Sequence, residues 1–143
     1  MKRLLLVFLI VIVIPFLLSA QTGSNRNASS KTAGPPNITG YYQAENENSI
    51  EALLLKDGRV KFYIMAMFRD HTGEICGVAP MKDNIVVYKK DACEITLKFE
   101  TGRIIVTQKG SDADCEFGMN VNAAGVYRKR NSKIPEFTEC RES

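Results

Sequence analysis

The segment Cys93–Glu100 alternates strictly between apolar and polar residues, and this alternation constrains the fold more than any other feature of the chain. Its apolar members are Cys93, Ile95, Leu97 and Phe99, and a charged or hydroxyl side chain follows each of them. A period of two places the two sets on opposite faces of a β-strand. The segment is therefore predicted to be a strand with one buried face and one solvent face.

Period-two runs and turn signals recur along most of the chain, and no stretch shows a sustained helical period. Asp57-Gly58 lies between two such runs and is a strong signal for a type I′ hairpin, while Lys82-Asp83-Asn84 and Thr101-Gly102 lie between others. The pattern predicts about eight short strands. The expected strands are Ile38–Gln43, Ser49–Leu55, Val60–Phe68, Glu74–Met81, Ile85–Lys89, Cys93–Glu100, Arg103–Gln108 and Ala123–Lys129.

Short connections favour antiparallel pairing of sequential strands, and such a meander leaves two exposed edges unless it closes. We therefore predict an all-β fold, a single eight-stranded antiparallel up-and-down β-barrel stapled by disulfides, rather than a two-sheet sandwich. The motif Asn-x-x-Gly-x-Tyr occurs at both Asn37–Tyr42 and Asn122–Tyr127, in the first and last predicted strands. This repeat is consistent with two strands that lie side by side where the barrel closes.

Residues 1–20 have the pattern of a secretory signal peptide. Lys2 and Arg3 precede an apolar run of 15 residues, from Leu4 to Leu18, and Ser19-Ala20 follow it. Because a membrane span needs about 20 residues, we predict cleavage after Ala20, with a retained anchor as the alternative. The protein is then expected to be periplasmic or secreted, without stable membrane insertion.

Composition divides the remaining chain into a linker, a domain and a tail. Residues 21–36 are rich in Ser, Thr, Asn and Gly and are predicted to be a flexible linker. Residues 37–131 are predicted to form the barrel domain, and residues 132–143 a C-terminal tail.

The charge of the chain argues against a nucleic-acid partner. The whole chain has 19 basic and 16 acidic residues, a net charge of +3, and loss of Lys2 and Arg3 leaves 17 against 16, a net charge of +1. A nearly neutral domain has no general attraction to nucleic acid. The one basic cluster, Arg128-Lys129-Arg130 with Lys133, is interpreted as a solvated strand end.

Four cysteines in an exported chain predict two disulfides. The hairpin around Thr101-Gly102 brings the start of the sixth strand and the end of the seventh to one end of the barrel, so Cys93 is expected to pair with Cys115. Cys140 is then expected to strap the tail back to Cys76. The cysteines lack the close paired spacing of a zinc site and the chain has one histidine, so we expect no metal and no cofactor.

Two groups of residues allow either a functional or a structural interpretation. His71, with Arg69, Asp70 and Glu74 beside it, resembles an acid–base cluster but also fits a polar hairpin loop. No nucleophile-and-base arrangement can be identified, so we expect no catalytic residue and no enzyme. On the third strand, Tyr63, Met65 and Met67 form a second apolar face. It is either covered by the linker or tail, or an exposed patch or ligand-facing wall.

The stretch "DCEFGMNVNAAGVY", Asp114–Tyr127, is rich in Gly and Asn, which tolerate left-handed backbone conformations. It is either a rigid loop that leads into the last strand or a site where binding residues collect at the mouth of the barrel.

Motifs in this part of the chain, with "GEICGVA" and "ITGYY" before it, resemble a group of small exported bacterial proteins. In these, a cysteine-led strand precedes a segment like Cys-Gly-Phe-Gly and a closing Gly-x-Tyr strand. The resemblance covers roughly residues 38–130, implies a periplasmic or extracellular β-barrel, and carries no established activity. Glu116 stands where glycine is expected. The matching positions are Cys93, Cys115, Phe117, Gly118, Val121, Gly125 and Tyr127.

Size, signal and a disulfide-bearing barrel also resemble, in architecture, periplasmic lysozyme inhibitors. We therefore expect a non-enzymatic binding protein that engages an unknown protein partner, such as a cell-wall hydrolase, through the loops Arg69–Gly73 and Lys109–Asn122. The alternative is a small apolar ligand inside the barrel. An interior crowded by Phe62, Phe68, Leu97 and Phe99 favours the protein partner. The expected contact residues are Arg69, Asp70, His71, Phe117, Asn120 and Asn122.

Overall fold

The computed structural model describes residues 37–138 and 140. The predicted signal peptide and linker, and part of the predicted tail, lie outside these residues. Among the described residues, no helix is long and apolar enough to cross a membrane. The eight strands are β1 (Gly40–Gln43), β2 (Ser49–Leu54), β3 (Arg59–Phe68), β4 (His71–Lys82), β5 (Ile85–Lys90), β6 (Cys93–Glu100), β7 (Arg103–Lys109) and β8 (Gly125–Asn131).

Each strand pairs antiparallel with the next, and β8 pairs with β1, so the sheet closes into a barrel. The predicted fold is confirmed. The β1–β2, β3–β4, β5–β6 and β7–β8 connections all lie at one end, which we call the loop end. At the opposite end, which we call the tail end, the described chain enters β1 and leaves β8.

The turns lie where the sequence predicts them, but the Asp57-Gly58 turn differs from the prediction in its type and the β3–β4 turn differs in its length. Gly58 has φ 81° while Asp57 has no positive φ, so Asp57-Gly58 does not form the predicted type I′ turn, which needs two positive φ values. Instead, Asp83 and Asn84 have φ values of 52° and 61°, as that turn requires. At the loop end, β4 begins at His71, so His71–Gly73 are strand residues and the loop expected at Arg69–Gly73 is only Arg69-Asp70.

The interior of the barrel is filled with side chains from alternate positions. Phe62, Leu97 and Phe99 are at most 3% exposed, and each of the remaining strands also contributes residues to the core. Phe68 is an exception and corrects the prediction, because it is 43% exposed. It is the last residue of β3, where the strand passes beyond the packed interior.

The repeated Asn-x-x-Gly-x-Tyr motif lies where the barrel closes. Tyr41 pairs with Asn131 and Tyr42 with Lys129, with a register shift between them. At this point Gly40 lies so close to β8 that a Cβ would collide with the carbonyl oxygen of Asn131. The predicted adjacency of the two motif strands is therefore confirmed, and Gly40 is required by the close approach of the backbones.

β4 and β5 pair over two residue pairs only, Met81↔Val86 and Lys82↔Ile85. The Met81 N–H donates to Gly58 O, toward β3, so the alternation of the strand turns the nitrogen of Pro80 toward β5. Proline has no N–H to offer, and the β4–β5 ladder ends there. Beyond this point the Tyr88 ring packs against Gly77 and meets the Phe62 ring edge-on, with 5.3 Å between ring centroids.

Two disulfides staple the barrel, Cys93–Cys115 and Cys76–Cys140, and both predicted pairings are confirmed. The first joins the start of β6 to the β7–β8 connection, and the second joins β4 to the C-terminal segment. Disulfides of this kind are typical of proteins in an oxidising, extracellular-type environment.

The C-terminal segment 132–138 crosses the outer surface of β1, β2 and β3. A groove of about 310 Å³ separates residues 133–138 from Tyr41 and Glu51, and the Lys61 ammonium lies 5.1 Å from the centre of the Phe137 ring. Phe137 and the outward-facing Tyr63 are each 8% exposed. Of the two interpretations of this face, the structure therefore supports the covered strand at Tyr63, with the tail as its cover, while Met65 and Met67 stay partly exposed.

Candidate functional site

The two loops predicted as a contact surface meet at the loop end of the barrel. Gly73 and Phe117 form an isolated β-bridge, and the Gly118 N–H donates to the Thr72 carbonyl oxygen at 3.2 Å. A Cβ at Gly118 would lie 2.7 Å from that oxygen and 3.3 Å from the His71 Cβ. Only glycine allows so close an approach. Phe117 and Gly118 thereby occupy part of the β4 edge that β5 leaves unpaired.

The β7–β8 connection, residues 110–124, is held by side chains along its length. Cys115 is bonded to Cys93, and the Asp112 carboxylate accepts a hydrogen bond from the Asn120 N–H at 2.6 Å. The Asp114 carboxylate accepts from the backbone N–H and the hydroxyl of Ser111, both at 2.8 Å, which lowers the pKa of Asp114. The stretch is therefore held in place by its own side chains, and both interpretations of its composition allow such a loop.

Glu116 stands at the position where the resemblance leads us to expect glycine. Its φ of 58° is in the left-handed region that favours glycine. Its carboxylate accepts two hydrogen bonds from the Lys90 ammonium, at 2.6 and 2.7 Å. These bonds raise the pKa of Lys90 and attach the connection to the end of β5.

Asn48 links three parts of the loop end, and the sequence analysis missed it. It is fully buried; its amide donates to Asn122 O at 3.1 Å, and its side-chain oxygen accepts from the Met67 N–H at 2.9 Å. Burial raises the pKa of the Tyr127 hydroxyl, which lies near the Asn48 side chain, to about 12. The polar stretch around Asn48 resembles any turn, so no local signal marks this residue.

Five of the six predicted contact residues keep accessible side chains at the loop end. Arg69, Asp70, Asn120 and Asn122 are exposed and His71 is partly exposed. Phe117 corrects the prediction: it is only 7% exposed and packs in the core, because its bridge to Gly73 draws it into the opening between β4 and β5.

Two apolar side chains project from this surface that were not predicted as contacts. Phe68 is 43% exposed, with the Arg69 guanidinium 5.3 Å from its ring centre, and Met119 is 67% exposed. Both lie beside the junction of the two loops, since Phe68 pairs with His71 and Met119 follows Gly118. We call Phe68, Arg69, His71, Met119 and Asn120 the rim surface.

The polar groups at the loop end have modest chemical capability. His71 Nε2 lies 3.8 Å from an Asp70 carboxylate oxygen, and both side chains are open to solvent, which screens the pair. Within residues 37–138 and 140, no three His, Cys, Asp or Glu side chains are grouped as metal ligands, and every buried side-chain polar atom has a hydrogen-bond partner.

Comparisons with protein-family models, with curated proteins and with solved structures found no match to this chain. The resemblance to small exported bacterial barrels and the likeness to periplasmic lysozyme inhibitors therefore stay predictions from the sequence.

Proposed function

We propose that this protein is a non-enzymatic binding protein of the periplasm or the cell exterior that engages a protein partner through the rim surface. The observation that carries the proposal is the junction at Gly73 and Phe117, which brings two separate loops into one rigid surface that exposes Phe68 and Met119. Aromatic residues, methionine and arginine are enriched in protein–protein interfaces.

The rim surface combines apolar and polar groups as an interface does. Phe68 and Met119 supply apolar area, while Arg69 and His71 supply hydrogen-bond donors next to it. Interfaces concentrate binding energy in a few such side chains surrounded by polar neighbours.

The loops of the rim surface are preorganised. The Cys93–Cys115 disulfide, the Gly118–Thr72 hydrogen bond and the Lys90–Glu116 ion pair hold the β7–β8 connection in place before any partner binds. A surface that is already ordered loses little conformational entropy on association, which favours affinity.

The filled interior favours an external partner over the alternative of a small apolar ligand. Phe62, Leu97 and Phe99 occupy the space that such a ligand would need. Eight-stranded barrels are close to the size at which side chains alone fill the interior.

A cell-wall hydrolase is the first partner class to test, because the size, the predicted signal and the disulfide-bearing barrel resemble those of periplasmic lysozyme inhibitors in architecture. Purified protein would be titrated against a panel of cell-wall hydrolases, lysozymes among them, with binding and enzyme inhibition measured together. We expect Met119→Asp and Phe68→Asp each to weaken binding at least tenfold. Ile134→Asp is the matched control, since Ile134 is 74% exposed on the tail segment, away from the rim.

Equal loss of binding in Ile134→Asp and Met119→Asp would contradict the rim surface as the contact. Native mass spectrometry tests the alternative: a stoichiometric bound molecule below about a thousand daltons, in the range of ligands that ordinary pockets hold, would favour ligand carriage over a protein partner.

A further inference from the structure

The barrel wall opens between β1 and β8 on the side of the loop end. Their ladder ends at Gln43↔Arg128, after which β1 bends away into a turn in which the Ala44 N–H donates to Asn48 O at 2.8 Å. A groove of about 450 Å³ lies between this turn and the first residues of β8. Its walls include Ala44, Glu45, Asn46, Arg103, Val126 and Arg128.

Two arginines lie directly opposite each other on the wall of this groove. Arg103 and Arg128 are paired across the β7–β8 ladder and both are exposed. Like charges at directly opposite positions destabilise a sheet. Arg103 is bonded to the Glu100 carboxylate, with Nε 2.7 Å from the oxygen, whereas the Arg128 guanidinium has no ion-pair or hydrogen-bond partner within residues 37–138 and 140.

The backbone of Val126 lines the same groove and has no strand partner on the β1 side. The Lys129 N–H donates to Gly102 O, toward β7, so the alternation along β8 turns the N–H and C=O of Val126 and Arg128 toward β1. Arg128 meets Gln43 there, but β1 has already bent away before Val126. The Val126 side chain is 44% exposed and adds apolar area beside these backbone groups.

We propose that this groove binds an extended acidic segment of another protein. The segment pairs its backbone with Val126 and presents a carboxylate to Arg128, with Arg103 as the second cation. Guanidinium groups bind carboxylates through two parallel hydrogen bonds, and extended peptides add to free strand edges. The groove lies at β1, β7 and β8, not on the rim surface. This proposal can therefore be tested separately from the proposed function.

Charge and wall chemistry favour a peptide over a phosphate-rich polyanion. Glu45 in the wall and Glu100 beside Arg103 oppose a densely charged anion. A phosphate-rich anion can neither pack against the apolar side chains of Ala44 and Val126 nor pair with the Val126 backbone as a strand does. A peptide with alternating acidic and apolar residues can do both.

The test uses a fluorescently labelled, capped peptide of alternating glutamate and valine, with a lysine–valine peptide as its counterpart. Anisotropy should show saturable binding of the acidic peptide, weakened by added salt, and no binding of the basic one. We expect Arg128→Glu and Arg128→Gln each to weaken binding at least tenfold and Arg103→Glu to weaken it as well. Lys56→Glu is the matched control, because Lys56 is exposed in the β2–β3 turn at the tail end.

Arg128→Glu replaces a like-charged pair with an opposite one, so its thermal midpoint is expected at or above that of the unaltered protein. Loss of binding is then not loss of folding, and Arg128→Gln repeats the test without a new charge. The proposal is overturned if the acidic peptide does not bind, if both Arg128 variants bind it as before, or if inorganic tripolyphosphate displaces it at equal concentration.

Discussion

Tyr42 and Tyr127 make the same hydrogen bond at opposite ends of the barrel. The Tyr42 hydroxyl donates to Ile38 O at 2.8 Å, and the Tyr127 hydroxyl donates to Ala123 O at 2.7 Å, each four residues earlier in the chain. β1 and β8 are antiparallel neighbours, so the start of one strand lies at the tail end and the start of the other at the loop end. Each tyrosine thereby ties the segment before its strand into the core.

Removal of either hydroxyl should destabilise the fold without changing its packing. Tyr42→Phe and Tyr127→Phe each leave a carbonyl oxygen, that of Ile38 or Ala123, without its donor. Each substitution is expected to lower the free energy of unfolding by about 1 to 3 kcal/mol. Urea denaturation measures this, with Tyr41→Phe, in a partly exposed position, as the control. Equal stability of all three variants would show that the hydrogen bonds add nothing.

The same two tyrosines predict a loss of stability in strong base. Burial raises the pKa of Tyr42 and of Tyr127 to about 12, from a usual value of 10.0. The folded state favours the neutral phenol of each tyrosine. The resulting contribution to the free energy of unfolding is therefore complete below about pH 10 and is lost as pH rises through about 12. The loss is up to about 2 to 3 kcal/mol for each tyrosine. Tyrosinate absorbance and denaturation on both sides of this window measure the effect; a constant stability would contradict it.

Asn48 is expected to be the most sensitive polar residue of the loop end. Asn48→Ala leaves the Met67 N–H and the Asn122 carbonyl without their partners and should cost about 2 kcal/mol or more. Asn46→Ala, at an exposed position of the same turn, is the control and should stay within about 0.5 kcal/mol. A cost for Asn48→Ala as small as that of the control would mean that water replaces both bonds.

The two disulfides should contribute similar amounts to stability. Loop-closure entropy predicts a loss of about 3 kcal/mol for the paired change Cys93→Ser with Cys115→Ser, and about 4 kcal/mol for Cys76→Ser with Cys140→Ser. The sequence separations of 22 and 64 residues set this order. Chemical denaturation measures the loss in the free energy of unfolding for each pair of substitutions. For Cys76→Ser with Cys140→Ser, hydrogen exchange should show the loss of protection at the tail-covered face of β3. Unchanged exchange there would argue against the tail as a cover.

His71→Ala should leave stability nearly unchanged. The His71–Asp70 contact is long, at 3.8 Å, and solvated, so we expect a change within about 0.5 kcal/mol of the free energy of unfolding. Thermal and urea denaturation of the variant measure it. A loss of several kcal/mol would assign His71 a structural role at the Gly118 junction instead of a place on the rim surface.

The strands and the Cys93–Cys115 disulfide could be predicted because their signals are local or nearly so. Alternation in Cys93–Glu100 marks β6 because a strand sends successive side chains to opposite faces. The hairpin at Gly102 brings Cys93 near the chain that carries Cys115, so short-range geometry suffices for that pairing. The strand ends were harder: β4 begins at His71 because Phe68 provides a cross-strand partner, which is a pairwise property.

The candidate site was predicted only in part. The two loops were expected at one end from the up-and-down order alone, but their junction at Gly73 and Phe117 was not expected. That junction follows from Pro80, which ends the β4–β5 ladder early and leaves a free edge for the β7–β8 connection to use. The burial of Phe117 follows from the same junction.

The strand order, the adjacency of the Tyr42 and Tyr127 motifs and the Cys93–Cys115 pairing could all be predicted from the chain alone, since they depend on side-chain period, turn chemistry and short connections. The folded barrel was needed to show which outer face the tail covers, that Asn48 joins three segments, and that Arg103 opposes Arg128 on a groove. Those features depend on register and on contacts between residues far apart in the chain, and such contacts form only when the closed sheet fixes every strand against its neighbours.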